Sequence, residues 1–411
     1  MELKCQVQNY AWGKIGTKSL AAEFAANGRP DDFCVDGTAP YAELWMGTHP
    51  NGPSIVKDGH GSSLAEYIEK NPAVLGESSR KLFGDNLPFL FKILSVNKAL
   101  SIQAHPDKKH AEELHKLRPD IYKDPNHKPE MAIALTDFQG LCGFRPLTQI
   151  QNNIKEVAQL RQVIGQDCAN ALLKATADNY QLPLESAFAS LMTCSKEKLM
   201  EALESLKQEI EKKNVLTSTE SLFKRLAHDF PGDVGCFVIY FLNLLALKPG
   251  EAMFLGPNLP HAYLSGDCIE CMACSDNVVR AGLTPKLIDV PTLCRMLIYQ
   301  CPENPDTFKF KPRQENTNAL LYDPPVPDFS VAKLLAPKGQ NKVSFPSRES
   351  ASIVIFTDCG RSGSYSASKN GSFYVENGQV KKGLVLFLAA KDVLQVTPDD
   401  KEDVVAFQAF C

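Results

Sequence analysis

No apolar run in this sequence is long enough to cross a bilayer. The longest, Cys236 to Leu247, is broken by Asn243, and a spanning helix needs about 20 consecutive apolar residues. The N-terminus, Met1-Glu-Leu-Lys-Cys-Gln-Val-Gln8, has no apolar core of the length that a signal peptide requires. Positive charge is not in excess either. A formal net charge of −4 argues against broad electrostatic binding to nucleic acid or an anionic membrane, although a small basic pocket is compatible with it. No glycine-rich phosphate loop and no G-x-G-x-x-G string occurs, so a nucleotide-binding fold is not supported. Histidine is missing after position 261, which leaves the C-terminal part without an imidazole-based metal site. These absences predict a soluble, cytoplasmic protein with no nucleic-acid or membrane partner.

Cysteine, by contrast, is plentiful: 13 residues, odd in number and scattered along the chain. With no secretion signal, reduced thiols are the expected state. Cys268-Ile-Glu-Cys271-Met-Ala-Cys274 has a spacing superficially like that of iron–sulfur ligands. On a strand, however, three-residue spacing sends successive side chains to opposite faces, so buried core cysteines are expected here. With 411 residues, 44% of them hydrophobic and 22% charged, the chain is globular and long enough for about two to three domains.

Residues 1–145 read as β-rich. Leu87 to Val96 and Leu100 to His105 predict a hairpin around Asn97-Lys98-Ala99. Ser63 to Lys70 and Lys108 to Lys116 are helical exceptions, the second with Asp107 as its cap. From Pro146 to about His228 apolar residues recur at helical spacing. Leu199, Leu203, Leu206 and Ile210 mark one face of a helix that starts near Ser195, and the block reads as an all-α insertion. β character returns near Phe237. From about Asp328 to Cys411 short strands alternate with polar turns, including Asn377-Gly378, a strong hairpin signal. Strands without intervening helices predict a jelly roll or a similar sandwich.

Chemistry concentrates in Ser101-Ile-Gln103-Ala-His105-Pro106. Alternation on a strand puts Ser101, Gln103 and His105 on one face, with apolar Ile102 and Ala104 opposite. Farther on, Lys128 and Glu130 share a face as the chain enters the apolar run Met131 to Leu135, and His261 follows a strand and a turn. One amide, two imidazoles and one carboxylate make a nitrogen–oxygen site without sulfur, suited to zinc and also to manganese, iron or cobalt.

These strings belong to a longer series. It comprises Asn9-Tyr-Ala-Trp12-Gly13, Glu43-Leu-Trp45-Met-Gly47-Thr-His49-Pro50, Pro88-Phe-Leu-Phe-Lys92-Ile-Leu, Leu100 to Pro106, Tyr122-Lys-Asp-Pro-Asn-His127-Lys128-Pro129-Glu130 and Pro260-His261-Ala-Tyr263. Last comes Glu270-Cys-Met-Ala-Cys-Ser-Asp276-Asn277-Val-Val-Arg280-Ala-Gly282-Leu-Thr284-Pro-Lys286. In content and order the series resembles the type I phosphomannose isomerase family, zinc enzymes of the cupin superfamily. The resemblance implies a mainly β chain with an α-helical insertion: two cupin-like jelly-roll β domains plus an all-α domain. The catalytic β domain would be discontinuous, over 1–145 and 230–325. The helical insertion would cover 146–229, and a C-terminal cupin-like β domain without a metal site would cover 326–411. Gln103 stands where the common cupin pattern has a histidine, and Glu130 lies unusually far downstream. Both departures belong to this family.

The resemblance further implies one Zn2+ per chain, held by Gln103, His105, Glu130 and His261, in a cytoplasmic monomer. The implied partner is a small-molecule sugar phosphate. The implied reaction interconverts mannose 6-phosphate and fructose 6-phosphate by proton transfer through a cis-enediol, feeding GDP-mannose synthesis and mannose use. Such chemistry needs a base, a stabiliser of charge on two neighbouring oxygens, and a phosphate clamp. Arg280 is the expected cation, for the enediolate or for phosphate. Glu270, Lys128 and Asp276 are the candidate bases, alongside a metal-bound hydroxide; burial among apolar neighbours would raise Glu270 toward a useful range. Lys128 has an alternative role in orienting Glu130, and Asp276 in pairing with Arg280. Ser101, Lys92 and Lys286 are the candidate phosphate contacts. Trp12, Trp45 and Tyr263 line the pocket or simply pack, and His49, His110 and His115 are expected to be structural.

Two other functions compete. Another metal-dependent cupin enzyme, such as an iron-dependent dioxygenase, gives no reason for the Arg280/Lys286 cluster. A non-catalytic sugar-phosphate-binding bicupin would be expected to have lost a ligand or Arg280, and none is missing.

Overall fold

Thirteen consecutive residues, His261–Ala273, form the strand from which the N-terminal architecture is built. The computed structural model describes all residues but 58–60, 361–362, 370–374 and 400. The first part of this strand pairs with Phe138–Phe144 on one side, and His261 pairs with Gln103 on the other. Its second part lies between Phe89–Val96 and Glu130–Ala134. The two parts meet at Gly266, whose φ of +110° is disfavoured for L side chains. A Cβ there would also lie 2.6 Å from the Asp137 carbonyl oxygen. One continuous strand thus carries His261 in one branch of an 11-stranded sheet and Glu270 in the other.

Both faces of the second part are covered, which explains its near-continuous apolar sequence. Cys268 packs with Leu94, Ala132 and Met253. Cys271 faces the other way, with Ile93, Met131 and the C-terminal residues Phe329, Val331 and Phe407. The cysteines therefore alternate faces as the spacing predicts, and all 13 are free.

The helical block runs from Leu147–Glu156 to Ser218–Asp229. Ser195 caps Lys196–Glu211 by accepting from the Lys198 N–H, and Leu199, Leu203, Leu206 and Ile210 are buried. Their core continues into Ile102, Ala104, Ala281 and Leu283. The bundle thus supports the strands that carry Gln103 and Arg280. The C-terminal residues form a six-stranded and a four-stranded sheet. These face each other across a shared core that includes Leu334, Phe356, Leu394 and Val396, the sandwich that the short strands predict.

Sheets with a helical insertion are therefore the architecture, but helix and strand occupy near-equal shares of the described residues. Helices such as Leu20–Gly28, Leu64–Lys70 and Lys108–Leu117, which decorate the β region, account for part of the helical share. Two hairpins are corrected. Phe89–Val96 and Ile102–Ala104 do not pair with each other; both pair with the long strand, at opposite ends. Asn377-Gly378 lies inside the strand Val375–Gln379, paired with Ser364–Ser368. There the missing Cβ admits the Tyr365 ring, which would otherwise lie 2.5 Å away; the intervening turn lies outside the described residues.

Candidate active site

Three buried side chains converge where the strands meet. His105 follows Ile102–Ala104, Glu130 opens Glu130–Ala134, and His261 opens the long strand. One ligand atom from each lies within 4.8 Å of the others, the one such group of three among the described residues. Nε2 of His105 and Nε2 of His261 each lie 3.4 Å from a Glu130 carboxylate oxygen. The opposite ring nitrogens are occupied. Nδ1 of His105 donates to the Asn277 carbonyl at 2.6 Å, and Nδ1 of His261 to the Leu259 carbonyl at 2.8 Å. Burial pushes the His105 imidazole down to about 4, so it is neutral. In a neutral ring with Nδ1 donating, Nε2 presents a lone pair, and among the described residues neither Nε2 nor Glu130 Oε2 has a hydrogen-bond partner. Three buried acceptors aimed at one another repel unless a cation lies between them. Their donor set fits a divalent metal with nitrogen and oxygen ligands.

Burial works against the Glu130 carboxylate, but its pKa is held well below the usual range, with the Lys128 ammonium the largest opposing influence. The Lys128 ammonium lies 3.1 Å from Glu130 Oε1. Gln103 is placed by register: it pairs with His261 on one side and with Arg280 on the other. Directly opposed residues share a face, so Arg280, Gln103 and His261 form a row across three strands. Ser101 donates its hydroxyl to Gln103 Oε1 at 3.1 Å, which gives it an orienting contact within that row.

Arg280 is half-buried, and burial lowers its pKa. Among the described residues it forms no ion pair. Asp276 does not pair with it: its partner is His49, at 3.8 Å, and it is exposed. His49 also meets the Trp45 ring edge-on. Lys286 is exposed in the segment after Arg280.

Lys92 differs most from the expectation. It is buried, with its ammonium 2.8 Å from Glu270 and 3.9 Å from Glu43, and it stacks over Trp45 at 5.3 Å. The Trp45 indole N–H donates to Glu43. Burial opposes the Lys92 charge, but Glu270 and Glu43 overcome it and keep the ammonium protonated. Burial raises Glu270; Lys92 pulls it back, and Glu130 and Glu43 add to the rise. The pair shifts unequally because one cation serves two carboxylates. Lys92 is thus spent on Glu270 and Glu43 and has no charge to spare for phosphate. Glu43 was legible in principle, since alternation along Glu43-Leu-Trp45 puts both side chains on one face.

Replacing Lys92 by Met would strand two buried carboxylates, at an expected cost of about 3–5 kcal/mol. The sign with pH follows. Without Lys92 the raised Glu270 rises further, so stability present below the unfolded carboxylate pKa is lost as pH rises through the folded one. Urea melts should show a smaller deficit in acid than at neutrality, and adding Glu270→Gln should recover part of it. An equal deficit at both would show that packing alone was lost.

His110 and His115 lie on Lys108–Leu117. His115 meets the Tyr122 carbonyl, and His127 meets Asp328 of the C-terminal part. Tyr263 is buried, with burial, Glu270 and Glu130 raising its pKa.

Sheet-borne imidazoles and a carboxylate, buried beside a helical insertion, define a class: proteins built to hold a divalent metal through nitrogen and oxygen. Comparison with known proteins narrows it. The family models described as phosphomannose isomerase type I match as catalytic domain over residues 1–147, helical insertion domain over 155–242 and C-terminal region over 319–358. Mannose-6-phosphate isomerase of Mus musculus is 45% identical over 420 residues, covering 100% of this chain and 98% of the relative. That of Schizosaccharomyces pombe is 41% identical, covering 100% and 99%. A crystal structure of mannose 6-phosphate isomerase bound with zinc and yttrium superposes with a TM-score of 0.83 at 31% identity, covering 100% of this chain and 98% of that one. A mutant of phosphomannose isomerase from Salmonella typhimurium superposes with a TM-score of 0.84 at 30% identity, with the same coverage. The chain belongs to the type I phosphomannose isomerase family.

Proposed function

We propose that the chain is a zinc-dependent aldose–ketose isomerase that interconverts mannose 6-phosphate and fructose 6-phosphate through a cis-enediol. The observation that carries this reading is the convergence of two buried imidazole Nε2 atoms and a carboxylate beside the Arg280–Gln103–His261 row. Gln103, His105, Glu130 and His261 would hold the ion. When bound, zinc supplies Lewis acidity toward the sugar oxygens, a contribution of several kcal/mol.

The chain's own groups supply the rest. One proton moves from carbon 2 of the aldose to carbon 1 of the ketose while the O2 hydroxyl proton passes to O1, and Glu270 is the carboxylate assigned to the carbon-bound proton. Its raised pKa and the Lys92 contact that fixes its position support that role. Lys128 orients Glu130. Arg280, charged and without a carboxylate partner among the described residues, meets the negative charge that develops on the enediol oxygens. Ser101 orients Gln103. Lys286 is the cation left for phosphate. Asp276, exposed and bound to His49, is not assigned the proton.

The same reading takes residues 1–145 and 230–325 as the catalytic domain, 146–229 as the insertion and 326–411 as a β domain without a metal site. It places the enzyme, as a monomer, in the cytoplasm, feeding GDP-mannose synthesis and mannose use. Among the described residues no helix is long and apolar enough to cross a membrane.

A coupled assay for fructose 6-phosphate, run before and after chelation and again with zinc restored, tests the proposal. Activity should vanish with the chelator and return with zinc. A folded, zinc-replete sample without turnover would leave a metal-binding member of the family with another substrate.

A further inference from the structure

The segment between the long strand and Arg280 is tied to the 124–126 turn by hydrogen bonds to the Asp124 carboxylate and by others to backbone carbonyls. Asp124 Oδ1 accepts from the Asn126 N–H at 2.9 Å and lies 2.9 Å from the Ser275 hydroxyl. Its Oδ2 accepts from the Asp276 N–H at 2.8 Å. The Asn277 amide donates to the Asp124 carbonyl at 2.6 Å and to the Asn126 carbonyl at 2.8 Å. Residues 275–277 are thereby laced to the 124–126 turn, about 150 positions earlier in the chain. Two functional segments leave this knot. The turn leads directly into Lys128 and Glu130, and the 275–277 segment leads into Arg280.

A third connection runs through Asn277. Its carbonyl accepts the Nδ1 proton of His105 at 2.6 Å. The position of that oxygen sets which imidazole nitrogen is free and where it points, and a partner of this kind governs metal affinity through its ligand. Asn277 is buried and its carbonyl belongs to the backbone, so no side-chain change deletes it directly. What can be changed is the Asp124 carboxylate, which accepts from the neighbouring Asp276 N–H at 2.8 Å and lies 3.4 Å from the Asn277 amide nitrogen.

We propose that Asp124 is a positioning residue for the metal centre, holding the Asn277 carbonyl against His105 and fixing the Glu130 and Arg280 segments relative to each other. The inference rests on the metal reading given above. Among the described residues Asp124 touches no candidate ligand atom, and it acts through hydrogen bonds to backbone and to Ser275. A carboxylate suits the task, because its two oxygens accept several N–H and O–H bonds at once.

The test uses the full chain with zinc as the probe. Dissociation constants are measured by competition with a chromogenic chelator, and melting temperatures on the metal-free protein. Asp124→Ala should weaken zinc about 10- to 100-fold. Asp124→Asn keeps one acceptor oxygen and should fall between Asp124→Ala and the parent. The metal-free melting temperature should not track these losses, as it would if Asp124 merely stabilised the fold. Parent-like zinc affinity in a folded Asp124→Ala would overturn the proposal. If that variant does not fold, Asp124→Asn decides: a several-fold loss supports the role, and unchanged affinity refutes it. His105→Ala is measured in parallel. Should it bind zinc like the parent, the metal reading itself fails, and that outcome is distinct from a failure confined to Asp124.

Discussion

Replacing His261 by Ala is expected to remove metal and turnover together. The imidazole is 1% exposed, and its Nδ1 proton is already given to the Leu259 carbonyl. The free Nε2 therefore has no role in the fold that water or a neighbour would take over. Without it, Glu130 and His105 remain as facing acceptors with one ligand fewer. Losing several kcal/mol of Lewis-acid stabilisation corresponds to a fall of ~1,000-fold or more in kcat/KM. Metal analysis of the purified variant checks the cause: zinc should be well below one per chain. Stoichiometric zinc in His261→Ala would refute the ligand assignment, whatever happened to activity.

The second large effect is expected at Arg280, with the opposite metal outcome. Arg280→Ala should keep its zinc, since the guanidinium is no ligand and sits across Gln103 from His261. It should also keep its fold, because no carboxylate among the described residues is left unpaired by the change. Turnover should fall by about 10²–10³, the scale of losing one preorganised donor to developing charge. Which constant moves tells which role is lost. A fall in kcat at unchanged KM places the guanidinium at the enediol oxygens, and a rise in KM at unchanged kcat moves it to the phosphate. Near-normal values of both would return Arg280 to a structural part.

Both predictions were reachable from motifs; their geometry was not. The sequence alone settles which residues share a face, because strand alternation is local and has a period of two. That rule puts Gln103 and His105 together, joins Lys128 to Glu130, and separates Cys268 from Cys271. Helix limits are local as well. Asp107 and Ser195 cap their helices as the sequence suggests, since a cap needs only the N–H groups two or three residues ahead.

What the tertiary structure alone decided is who lies opposite whom. Lys92 reads as a free cation until its strand is set beside one 178 positions away, where Glu270 claims it. Asp276 reads as a partner for Arg280 until His49 reaches it. The hairpin at Asn97 fails because both strands find the long central strand a better neighbour than each other. Asp124 carries no sign of its role, since the groups it binds arrive from residues 275–277. Periodicity is written in neighbouring residues, whereas register and pairing are set by burial across the whole sheet. The sequence therefore determined the candidate ligands and the faces they occupy, and only the fold decided which charges neutralise one another and which remain for chemistry.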